Sequence, residues 1–572
     1  MILERLKEFA KRVSDEIPPP GYAKMKIRWI IELDKDGKLL GATKTEGEGG
    51  KPKFVERMAP SKSLTGKVAA GIKAGLFADT AEYVLGKPAE AKDPRPVRLS
   101  QMHITFCNST LACSKALELD VIRAVVRFLE RDDIATDPKL KEVDGGDWVT
   151  FRVDGELPID FPQVQSYWSQ SQSETKRKGT CMICGTNAVS LVDLQPVPLK
   201  PVPGGQSAGV LLISANTTVF ESYGLQHALI APMCMPCAEL SNNAINYLIS
   251  SDKHSYRVRD QVIFLFWTRE MSQFSIPALF GEPTEDSVKA LMTSPRTGRA
   301  HAAEGVEANA FYMLALSGSG GRAVVRDWIE TSLNVVQENL QNYFRSQHVA
   351  GGREPYQKLL ALAGATVRDL DELAPWVSIS LVEHALKGTP LPPALLSVAV
   401  RRCAVGKINP GTRRRDHVSA QQAALVKLCL SSWHKHDNHN LLEDWMIKLD
   451  LNNEEPAYLY GRLFNVLEQI QEAATGGDSV ERTFGTAIMS PVSTLPRQIA
   501  RSTVHIRKLM RDKRGAAINY SKLLSEIQSK LGVDPAFKKQ LDAHEQGLFV
   551  LGYWHQHAAR YEKRSETEKN EQ

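Results

Sequence analysis

The sequence contains no apolar run that approaches the roughly 20 residues needed to cross a bilayer, and it has no strong excess of charge of one sign. Its 572 residues include 71 Lys and Arg against 66 Asp and Glu, a formal net charge of +5. A nucleic-acid surface would therefore have to come from local clustering of basic side chains. Residues 1–13 are charged throughout and lack the apolar stretch of a secretion signal, so we expect a cytoplasmic protein.

Catalytic signatures are also scarce. Neither the H-E-x-x-H of zinc proteases nor the G-x-x-x-x-G-K-[ST] of nucleotide-binding loops occurs in the chain. The segment Gly205-Gln-Ser207-Ala-Gly209 has the letters of a nucleophile elbow, which requires a strand before the serine and a helix after it. Here a proline-rich stretch precedes the serine and a strand-like apolar run, 210–213, follows it. We therefore do not expect a serine hydrolase.

Four of the eight cysteines form two C-x2-C pairs, Cys181 with Cys184 and Cys234 with Cys237, separated by 49 residues. Thiolates at this spacing are typical of a closed tetrahedral site, so we predict a structural Zn²⁺ bound by all four sulfurs. Four small buried thiols without a metal are the alternative. A deaminase-type catalytic zinc needs Pro directly before the first cysteine of the second pair, and here Pro232 is one residue too early.

The hydrophobic patterns predict an α+β multidomain protein. Strand-like runs at 27–33, 148–153 and 262–267 are mixed with amphipathic helices, and from 456 onward the pattern is helical. We divide the chain into four segments by these changes. They are an α+β region at 1–175, a zinc-bound module at 176–250, an α+β and helical middle region at 251–445, and a C-terminal α-helical bundle at 446–572.

Three short basic clusters are candidate nucleic-acid contacts, each with a solvated or ion-paired surface as the alternative. Lys62, Lys67 and Lys73 lie in a glycine-containing segment whose backbone could approach phosphates. Arg322 and Arg326 follow the glycine-rich run 317–321, which we predict to open a helix that places both arginines on one face. The third cluster lies within 401–415 and contributes Arg413, Arg414 and Arg415.

The longest basic pattern lies between 497 and 511. On a helix, Arg497, Arg501, His505, Lys508 and Arg511 fall on one side, opposite Ile499, Ile506 and Met510. Solvated helix faces usually mix charges of both signs, and a stripe of one sign is unfavourable unless something negative lies against it. This pattern favours a nucleic-acid track over an ordinary surface.

Several ordered segments carry a wider resemblance. They include MILERLKEFA at the start, AEYVLG at 81–86, DFPQVQSYW at 160–168, FYMLALSGSGGRAVVRDW at 311–328 and EQGLFVLGYWHQ at 545–556. In these segments the chain resembles the large subunit of the type I-C CRISPR effector complex (Cascade), and the similarity extends over nearly its whole length.

The resemblance implies a non-catalytic subunit of a guide-RNA-bearing complex. Such a subunit reads the protospacer-adjacent motif on double-stranded DNA, promotes duplex opening and R-loop formation, holds the displaced strand and recruits a helicase-nuclease. It also implies that the C-terminal bundle is small-subunit-like and that, besides being part of the full chain, it is made as a separate fragment from an internal start. Met446 is our candidate internal start, which would leave 127 residues. A zinc-dependent nucleic-acid-processing enzyme is the competing interpretation.

Overall fold

The computed structural model describes residues 2–45, 55–62, 72–90, 96–171, 177–293, 309–408, 415–434, 446–476, 480–531 and 539–570. Helices predominate among them, several small sheets accompany the helices, and the C-terminal elements are helical, which confirms the predicted α+β class. Two compact units are present, one comprising 1–251 with 316–328 and the other 252–315 with 329–572. The four-segment division stays a prediction.

The first unit contains a four-stranded sheet in the order β3-β2-β6-β5. Its central strands β2 and β6 run parallel, with Ile31 opposite Phe151 and both side chains buried. A parallel pair needs a long crossover connection. Here the crossover between the two strands includes a pair of packed helices over the sheet, α3 (Pro96–Leu117) and α4 (Asp120–Leu129). The strand bounds are β1 Tyr22–Ile27, β2 Trp29–Leu33, β3 Leu39–Lys44, β4 Val55–Pro60, β5 Ala78–Thr80 and β6 Trp148–Val153.

The helices of the first unit follow the apolar pattern of the sequence. In α1 the residues Leu3, Leu6, Phe9 and Ala10 are buried, and this apolar face packs against α6. Two short strands, β7 Lys178–Gly179 and β8 Val189–Ser190, pair in the segment between α5 and α6. The helix bounds are α1 Ile2–Arg12, α2 Ala81–Val84, α3 Pro96–Leu117, α4 Asp120–Leu129, α5 Pro162–Ser171 and α6 Met235–Ser250.

A second sheet has the order β12-β11-β10-β9, with β9 at Ser255–Val258, β10 at Val262–Thr268, β11 at Ala310–Ser319 and β12 at Arg322–Ser332. The predicted helix after residue 321 is wrong, because the segment is a strand. Gly320 and Gly321 form the two-residue turn between β11 and β12, and Gly320 has φ = 59°. A glycine pair at this position is a strong hairpin signal. The turn provides no helix N-terminus for a phosphate.

The rest of the second unit is mainly helical. Its middle helices are α7 Ile276–Gly281, α8 Glu285–Thr293, α9 Leu333–Gln347, α10 Leu359–Gly364, α11 Pro375–Lys387, α12 Pro393–Val405 and α13 Ala420–His434. A two-stranded pair, β13 Lys407–Ile408 and β14 Arg415–Asp416, lies between the last two of these helices. The C-terminal helices are α14 Pro456–Thr475, α15 Phe484–Met489, α16 Pro491–Asp512, α17 Arg514–Leu531 and α18 Ala543–Asn570.

Helix α14 is the centre of the C-terminal region and is buried almost all round. Leu459, Leu463, Leu467 and Ile470, which helical periodicity places on one face, lie within this buried surface. Residues next to Met446, the candidate internal start, also contact an earlier part of the second unit. The amide of Ala350 donates a hydrogen bond to the carbonyl of Ile447 over 2.7 Å. Of the described helices, none is both long and apolar enough to span a membrane.

Candidate metal centre and basic surfaces

The four cysteines of the two C-x2-C pairs come together in the first unit. The sulfur atoms of Cys181, Cys184, Cys234 and Cys237 all lie within 4.8 Å of one another. Cys181 and Cys237 are buried, and the Sγ atoms of Cys184 and Cys234 are 3.9 Å apart. Four sulfurs at Zn–S distances of about 2.3 Å would be separated by about 3.8 Å in a tetrahedron. The sulfurs are therefore close enough to bind a single metal ion.

The first pair lies on a tight turn. The amide of Gly185 donates to the carbonyl of Cys181 over 2.9 Å, and the amide of Cys181 donates to the carbonyl of Thr186 over 3.0 Å. Gly185 has φ = 72°, a left-handed conformation that favours glycine. This turn folds the chain back so that both sulfurs of the pair face the same side.

The second pair occupies the start of α6. Cys234 is the residue before the first helical turn, and Cys237 lies within that turn. The amide groups at a helix N-terminus and the helix dipole favour negative charge, so this position stabilises thiolates. A proline at 236 suits the first turn because its missing amide hydrogen would have no partner there.

Backbone hydrogen bonds hold the two pairs together. The amide of Met182 donates to the carbonyl of Pro232 over 2.9 Å, and the amide of Val192 donates to the carbonyl of Met233 over 3.0 Å. The amide of Cys234 itself lies 3.3 Å from Sγ of Cys181. These bonds join segments separated by about 50 residues of chain, so the site does not depend on the sulfurs alone for its shape.

The thiols differ in acidity. Burial acts to raise the pKa of Cys184, but hydrogen bonds from the side chain and amide of Thr186 bring it down to about 6. Hydrogen bonding to Cys237, together with burial, raises the pKa of Cys234. Burial also raises the pKa of Cys181. Without a cation, like charges prevent all four sulfurs from being ionised together, whereas a divalent metal ion replaces the thiol protons.

A cation from α1 also reaches this cluster. The ammonium group of Lys7 lies within the electrostatic field of Cys237, Cys184 and Cys234. Burial tends to lower the pKa of Lys7, and its interactions with these sulfurs raise it above its ordinary value. A zinc ion with four thiolates carries a net charge of −2, so a lysine here neutralises part of it.

The three short basic clusters have different environments. Lys62 is bound inside the first unit, with Nζ 2.6 Å from Oδ1 of the buried Asp79 and 3.6 Å from the centre of the Tyr83 ring. Lys73 is exposed. Lys67, Arg413 and Arg414 lie outside the described residues. Arg415 begins the short strand β14, and its side chain lies outside what the structure describes.

Arg322 and Arg326 share one face because side chains alternate along a strand, not because of a helix. Nε of Arg326 donates to Oγ of Ser317 across the hairpin over 2.7 Å. The guanidinium carbon of Arg322 lies 3.6 Å above the centre of the Phe220 ring, on a loop of the metal-binding region. No local sequence signal assigned a role to Phe220 or to the nearby Tyr223.

The 497–511 pattern lies on α16, and all four of its Arg and Lys residues are exposed. Among the residues that the structure describes, Arg497, Arg501, Lys508 and Arg511 have no ion-pair partner. Burial lowers the pKa of His505, and the positive charges of Lys508 and Arg501 add smaller effects in the same direction.

Two details of the predicted pattern on α16 differ from the structure. The helix begins at Pro491, before the first residue of the 497–511 pattern, and Pro496 lies inside it. Met510 is exposed, because the buried face is instead formed by Leu495, Gln498, Ser502 and Leu509. The basic side chains still share the solvent side of the helix. From 491 to 531 the chain has nine Lys and Arg against two Asp and Glu, so the excess of positive charge continues into α17.

A comparison with protein families gives a match over nearly the whole chain. The matching family model is described as CRISPR-associated protein (Cas_Csd1), and it covers residues 3–561. No curated protein matches the chain.

Proposed function

Because the chain belongs to the Cas_Csd1 family of CRISPR-associated proteins, we propose that it is a non-catalytic DNA-recognition subunit of an RNA-guided surveillance complex. The family places the protein in a CRISPR system, where it works with other Cas proteins. In such systems base pairing with the guide reads the long target sequence, and protein side chains read a short motif and the backbone. To fill that role, the chain needs only a surface that binds DNA.

The exposed basic face of α16 is the observation that carries this proposal. Four cations on one side of one helix, unpaired within the described residues, match the repeating negative charge of a nucleic-acid backbone. Such contacts bind all sequences alike, so this face holds DNA without reading it. We assign recognition of the short DNA motif to the N-terminal region near Lys62 and Lys73. Of these two lysines, only Lys73 is exposed, because Lys62 is paired with Asp79.

The resemblance to the type I-C Cascade large subunit supplies the rest of the proposed role. The protein would recognise the protospacer-adjacent motif, promote duplex opening and R-loop formation, hold the displaced strand and recruit a helicase-nuclease. Its partners would be the guide-RNA-bearing subunits, the target duplex and a separate C-terminal fragment that begins at Met446.

We propose that the four-cysteine cluster binds Zn²⁺ as a structural ion. Four thiolates complete the tetrahedral coordination that zinc prefers, so no position remains for a catalytic water. The cysteines on either side of the ion would connect the turn at 181–185 to the start of α6. This arrangement favours a scaffold over the competing interpretation, a zinc-dependent nucleic-acid-processing enzyme.

Binding of the full-length protein to a labelled DNA duplex tests the proposal. The triple variant R497Q/R501Q/K508Q removes three charges from α16. The control K253Q/R353Q/R368Q removes three exposed charges elsewhere in the same unit. Each cation that no longer neutralises a phosphate should lower the slope of log K against log salt by about 0.9. We therefore expect the α16 variant to bind all sequences more weakly with a smaller slope, and the control to behave as the wild type.

Two results would contradict this proposal. An unchanged salt slope in the α16 variant would show that DNA does not lie against this helix. Cleavage of the duplex by the purified protein, abolished when Cys181 or Cys234 is replaced, would favour the enzyme interpretation instead.

A further inference from the structure

Residues 215–227 form a projecting loop in the first unit, which we call the aromatic finger. Its base is closed by two backbone hydrogen bonds between Ala215 and His227, of 3.1 Å and 2.8 Å. Three apolar side chains lie exposed beyond this base. Val219 is 85% exposed, Phe220 44% and Tyr223 100%. Three exposed apolar residues within five positions form a patch, unlike the single exposed residues common on protein surfaces.

The tip of the finger holds a tyrosine in an unfavourable backbone conformation. The amide of Leu225 donates to the carbonyl of Ser222 over 2.9 Å, which closes a turn with Tyr223 and Gly224 in the middle. Both central residues have positive φ, 53° for Tyr223 and 69° for Gly224. Turns of this type strongly favour Asn, Asp or Gly at the first central position. A bulky residue is strained in this conformation, and strain of this kind clusters at functional sites.

The second aromatic residue already has a cationic neighbour. The guanidinium group of Arg322 lies over one face of the Phe220 ring at 3.6 Å. Arg326 lies on the same strand face and is exposed, with its Nε bound to Ser317. The one acidic residue of the finger, Glu221, accepts a hydrogen bond from Gln226 over 3.1 Å. The exposed Phe220 ring therefore lies against one arginine, and a second arginine lies further along the same face of that strand.

We propose that the aromatic finger is a stacking site for unpaired bases of a single nucleic-acid strand, with Tyr223 and Phe220 as the stacking rings and Arg322 and Arg326 facing the phosphates. Aromatic platforms beside positive charge are the features by which proteins bind single strands without reading their sequence. An apolar partner protein would not need the two arginines. The inference rests on the proposed function, because the unpaired strand is the one that an opened duplex supplies.

Tyr223 offers a variant set that separates stacking from folding. Tyr223→Asn removes the ring and places a residue that tolerates positive φ, so it should unfold at the same or a higher temperature than the wild type. Tyr223→Phe keeps the ring and should keep binding. The probes are a labelled oligonucleotide of thymidines and a strand of the same length with abasic sites, both measured with the full-length protein.

The wild type should bind the thymidine strand about tenfold more tightly than the abasic strand, because an abasic site has no base to stack on the aromatic rings. Tyr223→Asn should lose most of this preference while its salt slope stays that of the wild type. If Tyr223→Asn keeps the full preference for thymidine, the stacking proposal is wrong, but the proposed DNA-binding role of the basic face of α16 still stands. If the wild type binds neither strand at low salt, the proposed function fails first and the stacking site fails with it.

Discussion

The ammonium group of Lys62 lies 2.6 Å from Oδ1 of Asp79, a carboxylate with no exposure to solvent. The other oxygen of Asp79 accepts the amide of Gly75 over 2.8 Å. One buried carboxylate therefore binds both ends of the segment between Lys62 and Gly75. Burial raises the pKa of Asp79 above its ordinary value, and the nearby Lys62 opposes that rise.

Replacing Lys62 by Met should therefore destabilise the first unit. Removing one partner of a buried ion pair leaves the other charge uncompensated, which costs about 3–5 kcal/mol when both partners are fully buried. Lys62 is partly exposed, so we expect a loss nearer to 2 kcal/mol. Thermal unfolding measures the change, with Lys73→Met, an exposed lysine at the other end of the same segment, as the control. Equal unfolding temperatures for both variants would mean that the Lys62–Asp79 pair contributes nothing.

Lys7 provides a test of the metal centre that leaves all four cysteines in place. If its ammonium group offsets the negative charge of a zinc–thiolate cluster, Lys7→Met should release zinc to a chelator about tenfold faster than the wild type, since residues that hydrogen-bond to metal ligands contribute 10- to 100-fold to affinity. Lys11→Met changes an exposed lysine of the same helix and is the matched control.

The purified protein should contain about one zinc per chain by elemental analysis, and Cys184→Ser should lose it. Cys107→Ser should retain the metal, because Cys107 is not part of the four-sulfur cluster. If the Cys184 variant retains zinc, Cys184 is not a ligand. If the two lysine variants release zinc at the same rate, Lys7 does not stabilise the metal site.

His555 predicts an acid-sensitive C-terminal region. Burial, helped by the positive charge of Lys427, lowers the pKa of His555 to about 3. At pH values between its ordinary pKa of about 6.5 and the lowered value, the unfolded chain binds a proton that the folded chain does not. The contribution of neutral His555 to stability is therefore fully present above pH 6.5. Below that pH the free energy of unfolding decreases by up to about 1.4 kcal/mol per pH unit.

Urea unfolding at several pH values measures this slope. Replacing His555 by Gln alters the 3.0 Å hydrogen bond with Tyr458, so the variant should be less stable than the wild type at pH 7. Because the variant lacks the titrating imidazole, its free energy of unfolding should change less with pH. His227→Gln, at an exposed position, should keep the wild-type slope. An unchanged slope in the His555 variant would show that other groups cause the acid sensitivity.

The features that could be predicted from the sequence are those that depend on short-range patterns. The spacing of Cys181 with Cys184 and of Cys234 with Cys237 is enough to predict a metal site, because ligand geometry limits the spacing. The basic face of α16 follows from helical periodicity alone. By contrast, Arg322 and Arg326 share a face on a helix or on a strand, so their spacing could not distinguish the two structures, and the turn at Gly320-Gly321 was the decisive signal.

Contacts between distant segments are what the sequence could not show. Lys62 and Lys73 look alike in a basic cluster, and only the fold places Asp79 against the first and leaves the second exposed. In the same way, nothing local identifies Phe220 as the partner of Arg322, which is about 100 residues away in the chain. Tertiary structure therefore determines which charged groups and aromatic rings remain exposed.

Two glycine variants, one at the crossing of α14 and α18 and one in α17, have opposite expected effects on stability. A Cβ atom added to Gly461 would lie 2.0 Å from the carbonyl oxygen of Phe549, and one added to Gly552 would lie 2.1 Å from that of Tyr458. Since backbone atoms cannot move aside as a flexible side chain can, Gly461→Ala should separate the helices and cost about 3 kcal/mol or more. Gly515 lies in α17 with open space around it, so Gly515→Ala should stabilise the protein by about 0.5–1 kcal/mol. Urea unfolding of both variants checks the two signs, and a Gly461→Ala protein as stable as the wild type would show that the helices are not packed this closely.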